Sequence, residues 1–192
     1  PWWTTDIGGF FGANINDLEF HELLIRWFEY GCFCPVMRLH GYRWPLQPQY
    51  GTTGGATCVS GAPNEVWSYT DQVCEILSDY LRLRERMLPY ITELMEEAHE
   101  KGTPVMRPLF YDFPEDKESW NVETEYMFGP KVLVKPITDA DARETDVYLP
   151  GGASWTNAWT GETFEGGQKV HVAAPIEQIP LFTRDGYKLP MK

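Results

Sequence analysis

The chain has 192 residues, 43% of them apolar and 15% aromatic, with a formal net charge of −12. That length and apolar share suit one or two domains with a real core. The negative charge and the lack of any Lys/Arg stripe exclude a nucleic-acid phosphate backbone as partner, and no apolar run is long enough to span a bilayer.

The opening stretch, PWWTTDIGGFFG, carries a lone carboxylate, Asp6, between tryptophans and phenylalanines. Asp is a poor strand former, so Asp6 marks the end of an extended run, with glycines after it that let the backbone bend close to something. No signal-peptide pattern opens the chain. In NINDLEFHELLIRWFEYG, the residues Leu18, Phe20, Leu23, Leu24, Trp27 and Phe28 recur at helical spacing up to Gly31. Asn16 and Glu19 resemble a capping box at its start. CFCPVMRLHG then reads as a short buried strand. Alternation along that strand points Cys32 and Cys34 to the same face.

With His21 and His40 a zinc site can be drawn, but the spacing matches no standard finger. The expectation is no metal, no cofactor and four reduced cysteines. The segment from Gly41 to about Asn64 is crowded with Gly, Pro and Thr and reads as one long irregular loop. Its Tyr42, Trp44 and Tyr50 favour an ordered functional loop. A second helical pattern runs from about Ser68 to Lys101, with Val73, Leu77, Tyr80, Leu81, Leu88, Ile91 and Leu94 on its apolar stripe. Pro89 kinks or divides it, and Gly102 is placed as its cap.

From Thr103 the pattern changes to short β-type runs between Pro, Gly and Asp turns, with a hairpin expected at Thr160–Gly161. Strands at such spacing without helices between them indicate an antiparallel β-sandwich. The predicted architecture is therefore α/β plus all-β. Residues 1–102 supply strand–helix units of a parallel sheet or barrel, and residues 103–192 supply the sandwich.

In strand–helix folds the chemistry gathers at the C-terminal ends of strands. Asp6 ends the first strand, and Arg38 and His40 share one side at the end of the second. An ionised Asp accepts two hydroxyl hydrogen bonds, His donates or accepts one, and Arg holds a carboxylate in place. This trio suits a sugar, with Phe10 and Phe11 as a wall. The same pattern also reads as a buried structural Asp6–Arg38 ion pair, with His40 satisfying a backbone carbonyl.

Taken in order, WWTTDIGGFFG, FCPVMRLHG, LRLRERMLPYI, GTPVMRPLFYDFP, YMFGPKVLVKPI and PIEQIPLFTRDG resemble glycoside hydrolase family 31. The resemblance implies a retaining α-glucosidase or α-xylosidase with a (β/α)8 barrel followed by a β-sandwich. Within it, Asp6, His40 and Phe10 match residues that bind the non-reducing-end sugar, and Arg38 matches a supporting arginine. The RLHG form resembles the α-xylosidase-like members.

A retaining glycosidase needs two carboxyl groups about 5–5.5 Å apart. By the same resemblance both lie on barrel strands upstream of the DIGG motif, so Asp6 is neither of them. The expectation is thus a C-terminal fragment of such an enzyme, made of the last strand–helix units of the barrel and the sandwich. It would bind an α-linked oligosaccharide or glycoside and lack both catalytic carboxylates, so that it is inactive alone. Unpaired strand edges would then need the missing part of the barrel or self-association. The competing readings are a non-catalytic carbohydrate-binding protein derived from such an enzyme and a metalloenzyme using His21, His40 and the cysteines. Acidic charge and reduced cysteines lean toward the cytoplasm.

Overall fold

The computed structural model describes residues 2–191, so Pro1 of the opening run lies outside the described residues. Helix α1 (Leu18–Cys32) is capped by Asp17, whose carboxylate accepts from Glu19 N at 3.0 Å. The cap is thus one residue after the expected Asn16, since either side chain can accept but only Asp17 directly precedes the helical turn. Phe20, Leu24, Ile25 and Phe28 face the core, while Leu18 and Leu23, expected on the same stripe, are exposed. Gly31 does not end the helix. It lies in the last turn, where a Cβ would come within 2.4 Å of Ile7 Cδ1.

The opening run and the RLHG stretch run side by side in parallel, but neither forms a regular strand. Val36 N donates to Trp3 O at 3.1 Å, Ile7 N donates to Arg38 O at 3.4 Å, and Ile7 pairs with Leu39. Parallel ladders are stable chiefly with neighbours on both sides, and among the described residues each of these segments is bridged only to the other. Cys32 belongs to α1 rather than to a strand, so the expected strand alternation of the two thiols does not apply. Both are buried and free, and burial pushes Cys32 up to about 12 and Cys34 up to about 11. Among the described residues no group of three His, Cys, Asp or Glu could hold a metal ion, and the buried His21 pairs through Nε2 with Ile15 O at 2.6 Å.

The segment expected to be wholly irregular contains an antiparallel pair, β1 (Arg43–Gln47) and β2 (Ser60–Ala62). Pro45 and Gly61 hide it from propensity, because both are depleted in strands. Helix α2 (Asp71–Arg86) starts after a 3₁₀ turn at Val66–Ser68, with Thr70 Oγ1 accepting from Val73 N at 3.3 Å. The long helical pattern divides at Met87, and Pro89 falls in the first turn of α3 (Leu88–Lys101), where its missing N–H costs nothing. Gly102 then closes α3 in the left-handed region at φ +70°. Leu81 and Leu88 face solvent instead of the core. Among the described residues no helix is long and apolar enough to cross a membrane.

Beyond α3, a six-stranded antiparallel sheet has the order β3 (Met106–Arg107), β4 (Tyr126–Phe128), β5 (Val132–Val134), β10 (Leu181–Arg184), β7 (Ser154–Asn157), β8 (Thr163–Glu165). A separate ribbon pairs β6 (Glu144–Leu149) with β9 (Gln168–Ala173). Short helix α4 (Leu109–Asp112) follows β3. The β7–β8 turn falls where expected, with Gly161 N donating to Asn157 O at 2.8 Å.

Strand alternation decides what each face of the large sheet covers. Phe128, Val132, Val134 and Leu181 pack on the helices, in the core that also holds Leu24, Phe28, Leu77 and Ile91. Their neighbours Met127, Leu133 and Phe182 turn the other way, toward Val147, Leu149, Val170 and Val172 of the ribbon. The sheet is thus the middle of three layers, and the first core runs without a break across Gly102.

Candidate functional site

Parallel pairing of the first two segments brings their C-terminal ends together. Arg38 Nη2 donates to Asp6 Oδ1 at 2.5 Å. Gly9 N donates to Asp6 O at 2.7 Å, closing a tight turn with Gly8 at φ +82° and Gly9 at φ +83°. Two residues beyond Arg38, the His40 ring lies 5.2 Å from Phe10 between centroids, tilted by 33°. The structure therefore joins Asp6 to Arg38 and Phe10 to His40, all four at the ends of adjacent segments.

The turn is held from below by a residue that sequence reasoning missed. Arg43, fully buried, donates through Nη1 to Gly9 O at 2.8 Å and Tyr42 O at 3.0 Å, and through Nη2 to Ile7 O at 3.2 Å. Its guanidinium also lies over the Phe20 ring at 5.2 Å. A Cβ on Gly8 would come within 2.5 Å of Arg43 Nη2, so this turn admits only glycine there. The available signal was the alternation Tyr42–Arg43–Trp44, which places the cation inward between two outward aromatics.

The Asp6–Arg38 pair is not buried: the Asp6 side chain is 27% exposed and that of Arg38 48%. An ion pair so open to water contributes about 0–1 kcal/mol to stability. His40 is exposed and hydrogen-bonds to no backbone carbonyl among the described residues. The ion pair of the structural alternative is present but open to water, and the expected His40–carbonyl bond is absent among the described residues. What the arrangement offers chemically is a carboxylate fixed by a guanidinium, an exposed imidazole whose nitrogens have no partner among the described residues, and an aromatic face. Such a set has the chemistry to hydrogen-bond and cover a neutral polyhydroxylated molecule.

A separate concavity of about 760 Å³ lies between the outer face of α1 and residues 136–141. Leu18, Leu23, Trp27, Tyr30 and Ile137 line it. It is mainly apolar and holds none of the four site residues.

Residues 1–94 match the model of the glycosyl hydrolases family 31 TIM-barrel domain, and residues 102–189 match that of the glycosyl hydrolase family 31 C-terminal domain. The chain belongs to glycoside hydrolase family 31. It is 37% identical over its whole length to an alpha-xylosidase of Saccharolobus solfataricus, covering 24% of that protein. It is 36% identical to alpha-glucosidase 2 of Bacillus thermoamyloliquefaciens over 94% of this chain and 20% of that one. The crystal structure of a family 31 alpha-xylosidase from a soil metagenome, complexed with xylose, superposes with a TM-score of 0.93 at 49% identity. That match covers 98% of this chain and 28% of the other. The chain thus spans about a quarter of the length of these family 31 relatives.

Proposed function

We propose that this chain is the C-terminal part of a retaining α-glycosidase that removes terminal α-linked glucose or xylose. Asp6, His40, Phe10 and Arg38 grip the sugar at the non-reducing end. Residues 1–102 complete the catalytic barrel, and residues 103–192 form the sandwich that backs it. The observation that carries this reading is the exposed convergence of Asp6, Arg38, His40 and Phe10 in a family 31 chain. Asp6 accepts from sugar hydroxyls, His40 fixes a further hydroxyl, Phe10 covers the apolar face, and Arg38 orients Asp6.

The covalent chemistry comes from two carboxyl groups outside this chain, one acting as nucleophile and one as acid/base in a double displacement. This chain supplies binding and orientation only, so alone it turns over no glycoside. The apolar groove beside α1 is where the rest of the barrel packs, and without it copies of the chain associate with one another.

The test uses the purified 192-residue chain and the longer product of the natural gene, each assayed with an aryl α-xyloside and an aryl α-glucoside. The longer product is expected to hydrolyse at least one, the chain alone neither, and Asp6→Ala in the longer product to abolish binding of the sugar. Turnover by the chain alone overturns the reading. A second reading, a non-catalytic carbohydrate-binding protein, draws on the exposed aromatics around His40. An intact natural product no longer than this chain would select it.

A further inference from the structure

The Phe10 ring that faces His40 is also the first of a row. Its centroid is 4.5 Å from Phe11, edge to face. Phe11 lies 5.8 Å from Tyr42, and Tyr42 lies 6.3 Å from Trp44, both again edge to face. Phe11, Tyr42 and Trp44 are all exposed, Phe11 to 71% and Trp44 to 44%. Large aromatics in a folded chain ordinarily bury their faces, so a contiguous open row calls for an occupant.

The backbone holds this row in place from three directions. Tyr42 N donates to Phe10 O at 3.3 Å, Trp44 N donates to Ala13 O at 2.8 Å, and Ile15 N donates to Trp44 O at 3.1 Å. Between Tyr42 and Trp44, the buried Arg43 ties the same strand to Ile7 and Gly9 under the Asp6 turn. The Trp44 indole passes close to Gly12, whose absent Cβ would lie 3.7 Å from Trp44 Nε1. Trp44 Nε1–H donates to no atom among the described residues and so keeps a free donor at the far end of the row.

We propose that Phe11, Tyr42 and Trp44 form the subsite that holds the leaving-group sugars of an α-linked oligosaccharide. The proposal rests on the reading that Asp6 and His40 hold the non-reducing-end sugar. From that end the ring contacts run from Phe10 to Phe11, Tyr42 and Trp44 in turn, and Phe10 borders both the His40 ring and the row. Pyranose rings present a face of C–H groups that packs on aromatic rings, while their equatorial hydroxyls point to the side, where Trp44 Nε1–H can donate. The occupant is therefore the remainder of the glycoside, and Tyr42 and Trp44 set the preference for a sugar over a small leaving group.

The experiment uses the longer gene product with two matched substrate pairs: isomaltose against α-glucosyl fluoride, and xylosyl-α-1,6-glucose against α-xylosyl fluoride. In each pair the sugar held at Asp6 is the same, and only the leaving group differs. Trp44→Leu and Tyr42→Leu keep apolar bulk but remove the flat face. Each is expected to lower kcat/KM about tenfold for the disaccharide, with the fluoride unchanged within twofold.

Equal loss on both members of a pair overturns the subsite, because it marks a ledge covered by another part of the protein or a structural role. No loss on either overturns it as well. Asp6→Ala separates the two readings. It is expected to impair both members of a pair, and its failure to do so removes the sugar grip without touching the comparison made with Trp44 and Tyr42.

Discussion

The Tyr80 hydroxyl lies 3.1 Å from Glu29 Oε1, 3.1 Å from Glu177 O and 3.1 Å from Ile179 N, so α1, α2 and the segment before β10 meet at one oxygen. A tyrosine has a single proton to donate. With Ile179 N–H donating to it, Tyr80 can serve only one of the two acceptors unless Glu29 carries a proton itself. Burial pushes Glu29 up to about 8, against the opposing pull of Arg26, which donates to its Oε2 at 3.1 Å. A protonated Glu29 donates to Tyr80 and Tyr80 donates to Glu177 O, which accounts for all three contacts of the Tyr80 hydroxyl. Arg26 does not depend on Glu29 alone, because it also donates to the carbonyls of Ala142, Ala174, Pro175 and Gln178.

This network makes stability fall with rising pH. A carboxyl raised from 4.5 in the unfolded chain to about 8 in the folded one contributes fully below pH 4.5 and loses that contribution as pH rises through 8. Glu125, pushed up to about 7 by burial beneath Tyr148, acts in the same direction. Denaturant melts at pH 5 and pH 8 are expected to show lower stability at pH 8. Glu29→Gln is expected to flatten that dependence while costing on the order of 1–2 kcal/mol at pH 5. A slope unchanged by Glu29→Gln would remove Glu29 as its source.

Arg38 and Asp6 are expected to separate stability from function. Their ion pair is open to water, so Arg38→Lys changes stability by about 0–1 kcal/mol. Lysine offers a point charge in place of the planar fork that fixes the carboxylate, so sugar binding in the longer gene product falls about tenfold. KM for an aryl glycoside, measured beside a thermal melt, checks both halves. A large drop in melting temperature with unchanged KM would return the pair to a purely structural role.

Gly31 gives the sharpest packing test. A Cβ there meets Ile7 Cδ1 at 2.4 Å and Cγ1 at 2.9 Å, and Ile7 is fully buried beneath the Asp6 turn. Gly31→Ala removes a flexible residue from the last turn of α1, which in isolation stabilises by no more than the roughly 0.5–1 kcal/mol of a helix interior. Overpacking costs typically about 1–3 kcal/mol and prevails here. Net destabilisation is expected, with partial recovery on adding Ile7→Val, which removes the nearer of the two carbons. Chemical denaturation of the single and double variants measures it, and an additive pair would show that the two side chains do not meet.

The same residues show what the sequence made legible. Asp6, Arg38, His40 and Phe10 could be placed together because each follows an extended run at a glycine, a local signal. The division just ahead of Pro89 and the closure at Gly102 were likewise written in single residues. Arg43 was not, since its role depends on three carbonyls that only the folded turn presents. Gly31 was misjudged as a helix end for a related reason: close approach to Ile7 is a long-range fact that looks locally like a stop. The β1–β2 pair escaped because Pro45 and Gly61 contradict strand propensity. The opening run and the RLHG stretch fell short of regular strands because only Ile7 and Leu39 form a bridge between them among the described residues, and strand propensity says nothing of how many neighbours a strand will have.

The exposed face of α1 yields the last prediction. Leu18 is 73% and Leu23 52% exposed, and both line the 760 Å³ groove with Trp27, Tyr30 and Ile137. Trp3, also exposed, borders the same face through its indole N–H, which donates to Tyr30 at 3.1 Å. An apolar surface of this kind, open beside unpaired extended backbone, favours association in water. The purified 192-residue chain is therefore expected to sediment as a species larger than one copy. Leu23→Glu places a charge at the groove and is expected to shift it toward the monomer without unfolding it, because Leu23 is outside the core. Adding the separately produced upstream part of the barrel is expected to dissolve the self-associated form into a one-to-one complex. A compact monomer that ignores both the substitution and the added segment would show that this face needs no cover.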